Sequence, residues 1–570
     1  MVSMKKTIAL RFSALLIVSP ASYALTPWAD GPAEIVIYTS GASVQDKAYE
    51  QAIKSTLAAP NSVDYFADAV DPSSTTVGGR WTAYYFKGND SLGTNLAGKK
   101  IILEKRAQGS SGYGVIPLLA NLPIEHLNIS GTKVTDWVAN GTTAGNWKAV
   151  ISTKVDATTY LTKRVSDAGF SGNDPNILLK PGTLNYPTPV NQISTGAPEP
   201  NWPTKLTTVP TTGANAFTVL PTGGNIYGVA VTLDLYKVLQ EAQKRTGTLS
   251  SAVTVGNYTE SDMPSLNRNV IASIMAGKIG AWDQIEIVDK TASNTTKSLV
   301  TIGKELLDAN KITSLPYKEA MTGNKLTPVA FATRNNGAAA AVVAYAKFLN
   351  YPTTPNAVSP ATAVDNKDTV EAASLPIIKA PLSLGDAATL LKDWQNGANT
   401  IKMNNVSDTS NTAGGFAKRW GMNINSVDKN ATVKPDGTGG DPWRYIRIDG
   451  YAPTLENVAT GVYPYWTEGT LLYKTKNTSD KQWALKISLL QTLASSSSSP
   501  AVIGANITPQ AWGKTGAFST NSGNFETPIP FDPTKPVVPF THKGADSLLH
   551  AEIVPVANDQ AKNGLRLQLK

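Results

Sequence analysis

The sequence predicts an α/β protein, and three observations carry that expectation. Short runs rich in β-branched and aromatic residues alternate with runs whose apolar residues recur at helical spacing. The strand-like runs end in loops of glycine, serine and threonine that lead into helices, an arrangement that presents backbone donors at a strand's end. The chain has 570 residues, enough for two or three domains.

In chain order, residues 34–38 read as a short buried strand. It runs into Thr39-Ser40-Gly41-Ala42-Ser43 and then a helix with Tyr49, Ile53 and Leu57 on one face. Ser43 with Asp46 three residues later predicts a capping box. Residues 100–104 form a second strand candidate, leading into Arg106-Ala107-Gln108-Gly109-Ser110-Ser111-Gly112-Tyr113-Gly114-Val115. Residues 167–175 read as turn-rich. Residues 181–210 include Pro187, Pro189, Pro198, Pro200 and Pro203, so little regular structure fits, and a loop or wrapping arm is expected.

Residues 225–231 are strand-like. Leu235, Val238, Leu239 and Ala242 mark a helix, and Val270, Ile271 and Ile274 another that ends at Gly277. Ala338, Ala341, Val342, Tyr345, Phe348 and Leu349 mark a helix entered through Arg334-Asn335-Asn336-Gly337. An arginine and a glycine turn at a helix start suit an anion: backbone N–H groups and the helix dipole attract it, and a guanidinium can clamp it in bidentate fashion. Residues 495–499, all serine before Pro500, read as a flexible turn, and residues 528–539 are a second proline-rich stretch. The alternation predicts largely parallel sheets, with no solenoid-type repeats.

Lys5, Lys6 and Arg11 precede an apolar stretch through Ala14, Leu15, Leu16, Ile17 and Val18, and Ser22-Tyr23-Ala24 gives small residues at a cleavage position. Residues 1–24 are therefore expected to be a secretory signal peptide, too short in its apolar part to be a membrane anchor. No other stretch is long and apolar enough to span a bilayer, so the mature chain is expected in the periplasm, secreted or at the cell surface. There are no cysteines, which removes disulfides, thiolate metal sites and a cysteine nucleophile. The three histidines, His126, His542 and His550, are scattered, which argues against a histidine-rich zinc site. The formal charge is +8, of which the leader's three basic residues supply part. A mildly basic chain suits an anionic ligand or surface, or simply a solvated basic face. No basic cluster interleaved with aromatics supports nucleic-acid binding.

The order of these loops resembles the periplasmic phosphate-binding protein family, the phosphate receptors of ABC transporters and the related DING proteins. Thr39-Ser40-Gly41-Ala42-Ser43 is similar to the family's first ligand loop. Gly109-Ser110-Ser111-Gly112-Tyr113-Gly114-Val115 resembles its Gly-Ser-rich second loop, and Gly169-Phe170-Ser171 with Asp174-Pro175 its Gly-x-Ser-Asp-x-Pro segment. Ile274-Met275-Ala276-Gly277-Lys278-Ile279 with Trp282 resembles a helix end of the middle lobe. Residues 450–453, then Asn457, Gly461, Tyr463-Pro464 and Trp466, resemble the return to the first lobe. The resemblance runs from about residue 34 to about residue 476.

It implies a two-lobe type 2 periplasmic-binding-protein-like fold, enlarged by insertions and a C-terminal extension. Lobe 1 would take residues 25–230 and 440–570, with the proline-rich arm 181–210, and lobe 2 residues 231–439. Phosphate or a related small oxyanion would lie in the cleft, and an inner-membrane ABC permease is an implied partner. By resemblance, Ser43 and the N–H of Val44 donate from the first loop, Ser110 or Ser111 from the second, and Arg334 with Gly337 forms the clamp. Asp174 would be the carboxylate that accepts a proton from the hydrogen-bearing anion and so discriminates against sulfate. No cofactor or metal is implied.

Two departures bear on the ligand. The family places Ser-Gly-Thr after the clamp's glycine, whereas this chain has Ala338-Ala339-Ala340, so two hydroxyl donors are missing. Each lost hydrogen bond to a charged group is worth roughly 1.5–3 kcal/mol. The family's aspartate directly follows the serine of its segment, but here Gly172 and Asn173 intervene before Asp174. The expected function is an exported, non-enzymatic solute-binding protein. The alternative is a surface or secreted structural or adhesive protein that keeps the fold with a degenerate site. A phosphatase finds no metal-ligand cluster or nucleophile–base pair in the sequence to support it.

Overall fold

A computed structural model describes residues 31–69, 72, 77–315, 319–321, 324–352, 357–362, 376–381, 383–398, 400, 418–519, 540–542 and 553–555. The expected signal peptide and the second proline-rich stretch lie outside the described residues. So does most of the expected C-terminal extension beyond Ser519.

Fourteen strands join one mixed sheet among the described residues. In chain order they are β1 (Ile35–Gly41), β2 (Asp64–Ala69), β3 (Val77–Lys87), β4 (Lys100–Arg106), β5 (Val138–Ala139), β6 (Asn146–Val150) and β7 (Ala168–Ser171). They continue as β8 (Phe217–Thr232), β9 (Ala330–Ala332), β10 (Ile377–Lys379), β11 (Gly421–Ser426), β12 (Trp443–Tyr445), β13 (Trp466–Lys474) and β14 (Ala517–Phe518). The spatial order is β10-β9-β11-β8-β13-β7-β1-β4-β3-β2-β6-β5, with β12 and β14 also paired to β8.

The β-branched run Ile35-Val36-Ile37 makes β1 a natural interior strand. It lies parallel to β4, with Ile35 opposite Ile101, and parallel to β7, with Thr39 opposite Ala168. β9 is likewise parallel to β10 and β11. The expectation of largely parallel sheets is nevertheless corrected. β8 is antiparallel to β11, β12, β13 and β14, and β3 is antiparallel to both β2 and β4. Alternation of element types carries no information on the direction of a strand that returns from elsewhere in the chain, as β13 does.

β8 is the pivot of the architecture. Its first part pairs with β13, from Phe217 opposite Lys474 to Ile226 opposite Trp466. From Tyr227 opposite Ser426 onward it pairs with β11. One core lies on the β13 side of this change of partner, and a larger one runs across it, taking in Val115, Ile177 and Phe217 as well as Tyr227 and Val229. In the first, Ile35, Ile37, Tyr49, Ile53 and Leu57 pack with Leu471, Tyr473, Leu489 and Leu493. In the second, β9 and β11 pack with α3 (Leu233–Thr246), α4 (Arg268–Met275), α5 (Ala339–Leu349) and α6 (Leu384–Asn396). Trp443–Tyr445 pairs with residues 230–232, and Arg447–Ile448 with Ser265–Leu266, so this part of the chain lies with the middle of the sequence.

Two local expectations are corrected. Residues 167–175 contain an interior strand, β7, because small Gly169 lets the helix Ser110–Ala120 cross directly over it: a Cβ on Gly169 would fall 1.6 Å from the Gly114 carbonyl oxygen. The serine run is not a free turn. It ends the helix Trp483–Ser497, where Ser497 and Ser498 hydroxyls donate to the Leu493 and Ala494 carbonyls, and Ser499 caps the next helix through Val502 N–H. Leu489, Leu490 and Leu493 bury the inner face of that helix, so packing overrides the low helix preference of serine. Among the described residues no helix is long and apolar enough to cross a membrane.

Candidate anion-binding site

The first loop is held from below. Lys105, buried in β4, donates to the Ala42 carbonyl at 2.8 Å and pairs with Asp46. That ion pair explains why the expected Ser43–Asp46 capping box does not form: the helix Asp46–Ala52 starts at Gln45 with no side-chain cap, and the Gln45 amide reaches Thr222 instead. Ser43 is exposed, whereas Val44 turns its side chain inward. On the outer side of Val44 lies a cavity of about 60 Å³ lined by Gln45, Thr222, Asn225, Ser426 and Asp428. An ion pair of 3.2 Å between Lys47 and Asp428 ties the two sides of β8 there.

The second loop starts the helix Ser110–Ala120. Ser110 is half-buried with φ of 57°, and Ser111 is fully buried. The Ser111 hydroxyl accepts the Gly172 N–H at 3.0 Å, which joins this loop to the end of β7. Two residues on, Asp174 is 5% exposed and its carboxylate accepts the Asn176 N–H at 2.8 Å, capping the turn Pro175–Leu178.

The clamp loop arrives from the far side. Arg334 is 5% exposed, and its Nε donates to the Pro381 carbonyl at 3.0 Å. Burial pulls the guanidinium down to about 10, while Asp386, Tyr227 and Tyr465 favour its charge. Ala338, Ala339 and Ala340 are all buried, and the Tyr465 hydroxyl donates to the Ala340 carbonyl at 2.9 Å.

These segments meet over Gly172. A Cβ built there would lie 2.7 Å from Ala339 Cβ, 3.3 Å from the Tyr227 hydroxyl and 3.3 Å from Val44 Cγ1. The structure thus brings Val44, Ser111 and the start of α5 to one point, with Arg334 close enough to act electrostatically on Tyr227. Ser43 and Ser110 stand at the edge, and Asp174 is engaged in its own turn.

The proline-rich arm covers the point of convergence. Pro187 is buried between the second loop and the clamp loop: a Cβ on Gly112 would fall 2.4 Å from Pro187 Cβ, and one on Gly337 would fall 2.6 Å from Pro187 Cγ. The arm is tied both to the second-loop helix and to the segment that follows α5. Val190 N–H donates to the Tyr113 hydroxyl at 2.8 Å, and Leu184 N–H to the Tyr351 hydroxyl at 3.0 Å. Trp202 donates to the Pro187 carbonyl at 2.8 Å and packs on the Tyr113 ring.

Sequence reasoning missed Tyr227, Tyr465 and Pro187 as parts of this site. Nothing in local spacing marks them, because each comes from a different segment. It also missed a buried polar chain away from the site, in which Ser166 meets His126 Nε2 at 3.1 Å and the Ser40 hydroxyl at 2.8 Å.

The fold is therefore a mixed α/β one in which several loops converge at the change of partners along β8. No family model and no curated protein matches the chain. Among solved structures it is similar to a putative phosphate ABC transporter substrate-binding protein with bound phosphate from Clostridium perfringens. That likeness has 11% identity, covers 79% of this chain and 92% of that one, and has a TM-score of 0.30. It is similar to a DING protein at 12% identity, covering 79% of this chain and 84% of that one with a TM-score of 0.30. It is also similar to an ABC-type phosphate transport receptor from Vibrio cholerae at 12% identity, covering 61% and 82% with a TM-score of 0.23.

Proposed function

We propose that the chain is an exported, non-enzymatic receptor for a small oxyanion, phosphate being the anion that the order of its loops implies. The observation that carries this is the convergence over Gly172: loops around residues 44, 111, 172 and 334–339, far apart in sequence, meet where a buried arginine precedes a helix start. A buried guanidinium is costly to desolvate, and a bound oxyanion offsets that cost with short charge-assisted bonds. The first N–H groups of α5 supply further donors.

In this reading residues 31–226 with 466–519 form one lobe, and residues 227–465 the other. The boundary follows the strand pairings of β8, β12 and β13 and moves residues 440–465 into the second lobe. The present arrangement is closed over Gly172, so an anion enters as the lobes part about the Ile226–Tyr227 crossing.

Isothermal titration of the protein lacking residues 1–24, with phosphate, sulfate, phosphonates and carboxylates, tests the reading. One of them saturates a single site, and Arg334→Gln weakens it on the order of 100-fold. No heat with any of them returns the chain to the structural or adhesive alternative. Fractionation of expressing cells into periplasm, medium and surface tests export.

A further inference from the structure

We propose that the Tyr227 hydroxyl is a ligand donor of the oxyanion site, standing in for the two hydroxyls missing where Ala338 and Ala340 stand. The inference rests on the receptor reading above.

Tyr227 sits at the residue where β8 exchanges β13 for β11. Its side chain is fully buried, and its hydroxyl has no hydrogen-bond partner. Its main chain, by contrast, is fully engaged: its N–H donates to the Tyr465 carbonyl at 3.0 Å, and its carbonyl accepts the Tyr463 hydroxyl at 2.7 Å. The ring lies 5.5 Å from that of Tyr465, which is itself tied to the Ala340 carbonyl at 2.9 Å. The hydroxyl is therefore fixed in place, and it shares the small space over Gly172 with Ala339 and Val44.

An unpaired hydroxyl in a dry interior is unfavourable, and most buried side-chain polar groups are paired. Here the orphan points at the convergence of the loops. Burial raises the phenol well above its usual range, so it stays protonated and can only donate or accept as a neutral O–H. An oxyanion entering beside the start of α5 offers the acceptor it lacks. The Arg334 guanidinium, a donor only, can serve the phenol's oxygen but leaves its O–H to be donated elsewhere.

Tyr227→Phe removes one oxygen and no hydrogen bond within the protein, so the free variant melts at or above the wild-type temperature. Calorimetric titration of wild type and Tyr227→Phe with inorganic phosphate and with sulfate, together with tyrosine ultraviolet difference spectra on phosphate addition, decides the matter. The expected result is a phosphate Kd raised about 10- to 100-fold in the variant, and a tyrosine difference signal present in wild type and absent in Tyr227→Phe. An unchanged Kd with an unchanged signal overturns the role of Tyr227 and leaves the receptor reading intact. Absence of binding to either anion by wild type overturns both.

Discussion

Replacing Gly112 with alanine probes whether the proline-rich arm is seated over the site. Gly112 lies inside the helix Ser110–Ala120, where alanine is intrinsically favoured over glycine by about 0.5–1 kcal/mol. Its new Cβ would stand 2.4 Å from Pro187 Cβ and 2.7 Å from Cγ, against an optimum near ~3.5–4.0 Å. The nearest backbone atom of Pro187, its Cα, is 3.7 Å away, so the conflict is with the ring alone. Overpacking of this kind costs about 1–3 kcal/mol, which outweighs the helix gain. Gly112→Ala is thus expected to lower stability by about 1–2 kcal/mol. In a Pro187→Gly background the ring is gone, and the same substitution is expected to raise stability by about 0.5–1 kcal/mol. The coupling between the two positions is then about 2 kcal/mol, several times the scatter of independent sites. Urea unfolding of the four proteins, followed by tryptophan fluorescence and compared at a common m-value, measures it. Additivity within about 0.5 kcal/mol would refute the placement of Pro187 against the second loop.

Gly337→Ala carries a different signature. Its φ of +77° strains any L side chain, and the new Cβ would meet the Pro187 backbone Cα at 2.8 Å as well as the ring. A loss of about 2–4 kcal/mol is expected, only partly restored by Pro187→Gly; full restoration in urea unfolding would contradict the αL turn. His126 gives a pH dependence. Its ring is buried against Tyr38 and Ser166, with Arg106 and Arg164 nearby, and burial pulls it down to about 3 from 6.5. The unfolded chain therefore binds the proton first on acidification. His126 stability is complete above about pH 6.5 and is lost as pH falls toward 3, by roughly 1.4 kcal/mol per unit. Buried Glu104, whose carboxyl is raised, contributes with the opposite sign and loses stability as pH rises, so the His126→Gln difference is what isolates the imidazole. Unfolding free energies at pH 7, 5 and 4 are expected to fall more steeply in wild type than in His126→Gln; parallel slopes would rule the account out.

The sequence was most legible where one chemical signal decides the outcome. Helical spacing of Leu235, Val238, Leu239 and Ala242 marked α3, and that of Ala341, Val342 and Tyr345 marked α5. Both helices bury those residues completely or nearly so. The lack of regular structure across residues 181–210 followed from proline. Legibility failed where tertiary contacts overrule local preference. Asp46 belongs by pattern to a capping box, but buried Lys105 on β4, the strand beside β1, takes its carboxylate. Residues 167–175, with Gly169, Ser171 and Gly172, read as turn-rich, yet Ala168–Ser171 form an interior strand because small Gly169 lets a helix cross it.

The candidate site was legible as loops but not as a surface. Ser111 and Arg334 were candidates because each lies in a recognisable local pattern. Tyr227 could not, since it lies within an ordinary strand, and its only distinguishing property is an unpaired hydroxyl at a meeting of segments 44, 172 and 339. The three alanines after Gly337 therefore mislead when read alone. They remove donors from the helix start, yet the start of α5 still reaches the convergence, since a Cβ on Gly172 would fall 2.7 Å from Ala339 Cβ. In the proposed site the donor is carried by β8 at the strand crossing rather than by the start of α5, so a hinge motion about Ile226–Tyr227 would also move the hydroxyl. A site built that way would couple anion capture to the relative position of the two sides of β8 more directly than a hydroxyl carried on α5 itself.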